Sequence, residues 1–169
     1  MWRYPSRLKM RTYEILTADD FKEMRNYALE ELERFFQISH SKYQVYQNKL
    51  IAICLGQGAA KHYIDKKTGI EDIDIWFFFE EDDNVKIPHR RNMRKQTRKP
   101  FTKLGTKPID FLKKMIPRNC IVKGNKPGTL QDYLTKCKTQ TASKLSEKPI
   151  IGLHPDELFG KVLWPSNVR

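Results

Sequence analysis

Apolar side chains recur along the chain at periods typical of helices in two regions. Between Phe21 and Phe36 they fall every three or four positions, which predicts one buried face of a helix, with Glu30 and Glu31 on the polar face. Thr17 and Asp20 precede this stretch at the spacing of an acidic capping box, so the helix should begin there. A second helical zone begins at Thr129. Its apolar face comprises Leu130, Tyr133, Leu134 and Cys137.

Short apolar runs elsewhere predict β-strands. Leu50 to Leu55 is continuously apolar and ends at a glycine, and Ile73 to Phe79 is rich in β-branched and aromatic residues. Lys107 to Leu112 reads as a third strand and Lys148 to Leu153 as a last, shorter one. Short helices are expected at residues 59–63, after the first strand, and from Pro155 to near Gly160.

The chain length sets the expected organisation. A chain of 169 residues fits one domain, with a core at about residues 17–115 and a C-terminal helical extension at about residues 129–169. No apolar run approaches the roughly 18 residues of a membrane-spanning helix, so no membrane partner is expected. The three cysteines lack metal-ligand spacing, which favours a reducing, cytoplasmic setting.

Acidic residues with a possible metal-binding role stand at the start of the second predicted strand. Side chains alternate across a strand, so Asp72 and Asp74 should share one face, while Glu71 and Ile73 point to the other. Two carboxylates so placed can share a divalent metal ion. Without a cation they repel each other, so positive charge is expected nearby.

A glycine turn follows the first predicted strand. Gly56-Gln57-Gly58 leads into the short helix, and a backbone without Cβ atoms lets a phosphate approach the N–H groups of a helix start. Neither this turn nor the D-x-D pair is specific alone. Their order, strand, glycine turn, helix, turn and D-x-D strand, is more specific than either.

This order resembles the nucleotidyltransferase superfamily that includes DNA polymerase beta and the tRNA-terminal transferases. Leu55-Gly56-Gln57-Gly58 matches its glycine turn, Asp72 and Asp74 match its D-x-D, and Asp110 fits its third carboxylate. The resemblance covers about residues 50–112, and the ending PIIGLHPDELFGKVLWP is similar to the tails of small uncharacterised bacterial nucleotidyltransferase-like proteins. Gln57 departs from the pattern, because the family has glycine or serine there.

The resemblance implies an α+β fold with a small mixed β-sheet flanked by helices. It also implies transfer of a nucleoside monophosphate from a nucleoside triphosphate to an acceptor hydroxyl, assisted by Mg²⁺ or Mn²⁺. Asp72 and Asp74 would hold the metal ions that bridge the triphosphate, and Asp110 would bind the catalytic metal and help to deprotonate the acceptor. The implied nucleotide-binding residues are Gly56, Gln57, Gly58 and Lys61.

The net charge of +12 predicts a polyanionic partner. Between Asn84 and Ile109 there is no acidic residue, and this segment precedes the third predicted strand. Its candidate phosphate or nucleic-acid contacts are Arg90, Arg91, Arg94, Lys95 and Arg98. Because a mononucleotide needs fewer charges, a polynucleotide is expected, with RNA favoured.

Two other functions remain open at this level. Gln57 favours a catalytically inactive domain that binds nucleic acid through its basic surface. Clustered carboxylates also serve metal-dependent nucleases, although the glycine turn favours a triphosphate site.

Overall fold

The structure, a computed structural model, describes residues 11–88, 109–136 and 145–165. Its helices are α1 (Ala18–Ile38), α2 (Gln57–Asp65) and α3 (Lys126–Lys136). Its strands are β1 (Leu50–Gly56), β2 (Ile73–Glu80), β3 (Ile109–Ile116), β4 (Ile150–His154) and β5 (Val162–Trp164). Within these ranges, 3₁₀ helices lie at Ser41–Asn48, Arg118–Cys120 and Asp156–Leu158.

The five strands form one sheet in the order β3-β2-β1-β4-β5. β2 and β3 run parallel, while β1 pairs antiparallel with both β2 and β4, and β5 is antiparallel to β4. The predicted α+β fold with a small mixed sheet is therefore confirmed. β1 and β2 occupy inner positions, which explains why both carry long apolar runs.

Alternating residues of β2 divide the core into two layers. Ile75, Phe77 and Phe79 pack in the layer that contains the apolar residues of α1 and α2. Trp76 and Phe78 pack in the other layer, with Leu130 and neighbouring residues of α3. Helices thus cover both faces of the sheet. β2 is therefore apolar at almost every position, and its polar residues lie only near its ends.

α1 begins at the capping box that the sequence predicts. The Thr17 hydroxyl accepts a hydrogen bond from the Asp20 N–H at 3.3 Å, and the Asp20 carboxylate accepts one from the Thr17 N–H at 2.7 Å. The predicted polar face is wrong at Glu31, which is only 1% exposed. Glu31 lies three residues after Ala28 and four before Phe35, so the helical period places it among the buried positions.

The C-terminal part of the chain differs from the predicted helical extension. α3 begins at Lys126, three residues before Thr129. The last strand, predicted at Lys148–Leu153, is present as β4, and β4 and the unpredicted β5 extend the central sheet on the β1 side. The predicted helix from Pro155 towards Gly160 is a 3₁₀ turn at Asp156–Leu158. The physical reason is that β1 needs a second hydrogen-bonding partner, and β4 supplies it.

The third predicted strand is present and extends further than predicted. β3 runs Ile109–Ile116, four residues beyond the predicted end at Leu112, while Lys107 and Pro108 lie outside the described residues. Lys113 continues the strand although it is charged, and its ammonium lies 4.4 Å from the centre of the Phe35 ring. Contact with an aromatic face lets this lysine be buried within a strand.

The cysteines are in different states. Cys54 is a free, fully buried thiol on β1, and burial raises the pKa of this thiol. Cys120 is disulfide-bonded, which the expected reducing setting does not account for, and Cys137 lies outside the described residues. No helix in the described ranges combines the length and apolar character needed to cross a bilayer.

Candidate functional site

The turn from β1 into α2 has an unusual backbone. Gly56 is the N-cap of α2, and Gln57, its first residue, has a φ of +57°. Few residues other than glycine adopt this left-handed backbone conformation without strain. The position at which the resembled family has glycine or serine is therefore one where the backbone itself favours glycine.

Gly56 is needed for packing. A Cβ atom on Gly56 would lie 3.0 Å from Cδ1 of Trp76, which is closer than ordinary contact. Gly56 is buried and lies opposite Asp74 in the β1–β2 register. Its role is thus to admit the Trp76 indole, and the open part of the turn begins at Gln57.

Asp74 and Asp110 are direct neighbours in the sheet. They are paired residues of the parallel strands β2 and β3, and adjacent strands lie about 4.8 Å apart, with paired side chains on one face. Oδ1 of Asp110 is buried. Two negatively charged carboxylates this close repel each other, so a nearby cation stabilises the pair. The sequence proposed Asp110 as the third carboxylate, and the strand register brings it to Asp74.

Asp72 and Asp74 both line a cavity of about 210 Å³, named here the carboxylate cavity. Gln57 and Gly58 form the part of its wall that belongs to the strand-to-helix turn. The rest of the lining comes from Arg11, Thr68, Gly69, Glu71 and Lys148. The cavity thus joins the D-x-D pair to Gln57 and Gly58 of the glycine turn.

The prediction that Glu71 points away from the aspartates is wrong. Glu71 lines the carboxylate cavity with them. β2 begins only at Ile73, so the alternation of strand side chains reaches neither Glu71 nor Asp72, and the shared cavity is what places Asp72 with Asp74. The Glu71 carboxylate accepts a hydrogen bond from Nε of Arg11 at 3.0 Å.

The two basic residues of the cavity come from distant parts of the chain. Arg11 is held by a short antiparallel bridge, in which the Thr12 and Ile70 backbones exchange hydrogen bonds of 2.9 and 2.8 Å. Lys148 lies just before β4. No sequence signal connects either residue to the D-x-D motif, so only the folded chain identifies them as site residues.

The loop after α2 forms a fixed wall of the cavity. The Asp65 carboxylate accepts hydrogen bonds from the N–H groups of Lys67 and Thr68 and from the Thr68 hydroxyl. The Thr68 hydroxyl is the main reason why the pKa of Asp65 is lowered to about 2. The buried His62 ring bonds through Nδ1 to the Thr68 carbonyl at 2.7 Å, so Nδ1 carries the proton there.

The N-terminal segment also places an aromatic ring beside the cavity. A Cβ atom on Gly69 would lie 2.8 Å from Cβ of Arg11 and 3.1 Å from Cζ of Tyr13. Both residues therefore pack directly on Gly69, a residue of the cavity wall. Tyr13 is nevertheless 61% exposed, so much of its ring remains accessible.

The remaining predicted site residues lie elsewhere. Lys61 is on the exposed surface of α2 and does not line the carboxylate cavity. The five basic candidates of the Asn84–Ile109 segment lie outside the described residues. They are Arg90, Arg91, Arg94, Lys95 and Arg98.

The donor set fits the metal ions that the resemblance implies. Mg²⁺ and Mn²⁺ prefer oxygen ligands, and Asp72, Asp74 and Asp110 offer only carboxylate oxygens. In residues 11–88, 109–136 and 145–165, no three acidic, histidine or cysteine side chains are already gathered as a metal site. The aspartates fit these metal ions because their donor atoms are oxygens and because the strand register pairs Asp74 with Asp110.

Comparison with known proteins adds no family assignment. No protein-family model matches the chain, and no curated protein or solved structure is significantly similar to it.

Proposed function

We propose that this chain is a metal-dependent nucleotidyltransferase, which transfers a nucleoside monophosphate from a nucleoside triphosphate to an acceptor hydroxyl, with RNA the favoured acceptor. One observation carries the proposal. Asp74 is paired with Asp110 across β2 and β3, and it shares a cavity with Asp72 and the Gln57–Gly58 turn.

Each part of the cavity has a role in this proposal. Mg²⁺ or Mn²⁺, when bound, neutralises the triphosphate and stabilises the attacking and leaving oxygens. Asp72 and Asp74 would hold the metal ions. Asp110, which lies beside Asp74 in the sheet but does not itself line the cavity, would bind the catalytic metal and accept the proton of the acceptor hydroxyl, and pyrophosphate would be the leaving group. Backbone N–H groups at the start of α2 and the guanidinium of Arg11 bind phosphate oxygens.

Lys148 completes the phosphate contacts in this proposal. It lines the same cavity as the aspartates and makes no ion pair with any described residue. Its ammonium is therefore available to an anionic ligand. Arg11 differs, because its guanidinium already pairs with the Glu71 carboxylate and would contact both this carboxylate and a phosphate.

Tyr13 provides a surface for the base. Its ring packs on Gly69 at the cavity wall and is largely exposed. Stacking of a base on an aromatic ring contributes about 1–3 kcal/mol and tolerates any base. The bridge between Thr12 and Ile70 holds the segment in place, so the ring is positioned before a nucleotide binds.

Calorimetric titration with each nucleoside triphosphate, with and without Mg²⁺, tests the proposal. Wild type should bind only with Mg²⁺, and Asp74→Asn should weaken binding at least about tenfold, by loss of a charged ligand. Asp83→Asn is the matched control, because this exposed aspartate follows β2 at the other end of the strand and pairs with Arg118. If wild type does not bind nucleotide at millimolar concentration, this result contradicts the proposal.

The same titrations, repeated with tripolyphosphate, separate the base from the phosphates. Tyr13→Ala should weaken binding of ATP about tenfold, as expected for loss of one stacking contact, and leave tripolyphosphate unaffected. Tyr13→Phe keeps the ring and should bind ATP like wild type. Equal losses for both ligands would show that Tyr13 supports the cavity instead of the base.

A second function is favoured by charge. The net charge of +12 and the acid-free segment between Asn84 and Ile109 suit nucleic-acid binding without catalysis. In that case RNA binds the wild type and the Asp74→Asn variant equally, and Mg²⁺-dependent nucleotide binding is absent.

A further inference from the structure

A second and larger cavity lies at the opposite end of the sheet. Its volume is about 550 Å³, and it is lined by Ile51 at the start of β1 and Glu80 at the end of β2. The carboxylate cavity instead adjoins the end of β1 and the start of β2. The two cavities therefore cannot share one small ligand. We name the larger one the lysine cavity.

Apolar side chains form part of the lining of the lysine cavity. Ile51 and Leu158 are buried and belong to the core layer shared with α3. Ile121 and Val122 add to this surface, and Val122 is 38% exposed although it is a large apolar residue. A ligand with an apolar part gains free energy by covering this surface.

Positive charge exceeds negative charge around this lining. Lys123, Lys126 and Lys161 line the cavity together with Glu80 and Glu157. Lys126 lies 3.7 Å from the Glu157 carboxylate, so these two charges offset each other.

The other two lysines are available to a ligand. Neither Lys123 nor Lys161 forms an ion pair within the described part of the chain. Two ammonium groups beside an apolar surface attract an anion.

The loop that carries most of this lining is fixed by its own hydrogen bonds. The Thr129 hydroxyl accepts from the Val122 N–H at 2.8 Å, and the Asn125 side chain accepts from the Gly128 N–H at 2.9 Å. Gly124 has a φ of +70°, which suits glycine, so the sequence also supports this turn. A wall that is fixed before binding loses little entropy when a ligand binds.

We infer that the lysine cavity binds a small organic anion with an apolar or aromatic part. Its volume falls within the roughly 300–1,000 Å³ of small-molecule sites. Lys123 and Lys161 hold the anionic group, while Ile121 and Val122, which are more exposed than Ile51 and Leu158, contact the apolar part. A polynucleotide suits it less, because Glu80 and Glu157 interrupt the positive charge. The inference does not depend on the proposed function.

Titrations followed by ¹⁵N NMR test this inference with three probes: phenyl phosphate, inorganic phosphate and phenol. Phenyl phosphate should shift the amides of Gly124, Asn125 and Lys161 in a saturable way and bind at least fivefold more tightly than either other probe. The paired variant Lys123→Gln with Lys161→Gln should raise its Kd at least fivefold.

The paired variant Lys22→Gln with Lys67→Gln, at two exposed lysines outside the cavity, is the control and should leave the Kd unchanged. Dispersed amide spectra check that both paired variants are folded. Amide shifts confined to residues of the carboxylate cavity overturn the inference. A Kd that stays unchanged in the variant Lys123→Gln with Lys161→Gln overturns it as well. Equal binding of phenyl phosphate and inorganic phosphate also overturns it, because the apolar lining then adds nothing.

Discussion

Gln57 shows how one backbone angle constrains the candidate site. It follows Gly56 at the start of α2 with a φ of +57°, in a region where a side chain costs about 1 kcal/mol or more. Gln57 also lines the carboxylate cavity. Its side chain is thus kept at a strained position beside the aspartates, where glycine would fold more easily.

Gln57→Gly should therefore stabilise the fold by about 1 kcal/mol, because glycine relieves the left-handed strain at some cost in unfolded-state entropy. Urea denaturation measures this change. Lys66→Gly is the control, since Lys66 has a φ of +59° at the end of α2 and should show a similar gain.

The two glycine variants should differ in nucleotide binding. Gln57→Gly restores the residue type of the resembled family at the cavity wall and should keep or raise Mg²⁺-dependent affinity, whereas Lys66→Gly should not change it. A destabilised Gln57→Gly protein with weaker binding would mean that the glutamine side chain itself makes an important contact.

At the scale of elements, the wall loop after α2 depends on one carboxylate. Asp65 accepts three hydrogen bonds from residues 67 and 68, which hold the Thr68–Gly69 segment against the cavity. Hydrogen bonds to the ionised form lower its pKa to about 2. Protonation of Asp65 therefore loosens this wall.

This shift predicts a pH dependence of stability. Because the folded pKa lies below the unfolded value of about 3.9, Asp65 stabilises the fold fully above about pH 4, and this stabilisation is lost as the pH falls towards 2. Urea denaturation from pH 7 to pH 2 should show wild type approaching the stability of Asp65→Asn in the acid range.

Thr68→Val removes the main hydrogen-bond partner of Asp65 and should weaken the same pH dependence. Its stability at pH 7 should lie between those of wild type and Asp65→Asn. A constant difference between wild type and Asp65→Asn across the whole range would contradict the role given to this carboxylate.

Elements with strong local signals could be predicted from the sequence. The capping box of Thr17 and Asp20 marks the start of α1, and the apolar run marks β2. β5 could not be predicted, because Val162–Trp164 is only three residues long and its strand form depends on pairing with β4. Glu31 was assigned to the polar face because of its charge, although the helical period places it with Ala28 and Phe35 among the buried positions.

For the whole molecule, the charge of +12 predicts salt-dependent binding of single-stranded RNA. The dissociation constant should rise steeply between 50 and 200 mM KCl, with a slope of about 0.7 per phosphate contact. Fluorescence anisotropy with a labelled oligonucleotide measures this slope. Replacement by glutamine should reduce this slope at the five basic positions Arg90, Arg91, Arg94, Lys95 and Arg98.

The control replaces five exposed lysines from other parts of the sequence, and its slope should stay close to that of wild type. The control positions are Lys22, Lys42, Lys66, Lys67 and Lys136. Equal slopes for both variants would mean that RNA responds to overall charge, and the basic segment would then have no special role.

The sequence by itself determined the local features of this protein. Apolar periodicity, the capping box and the glycine turn depend on neighbouring residues, so they predict α1, β1, α2 and β2 and put Asp74 on β2. Tertiary structure decided what pairs over long distances. The parallel register of β2 and β3 brings Asp110 beside Asp74, and chain packing brings Arg11 and Lys148 to the cavity. Such contacts depend on the burial and hydrogen bonding of the whole sheet, which no local pattern encodes.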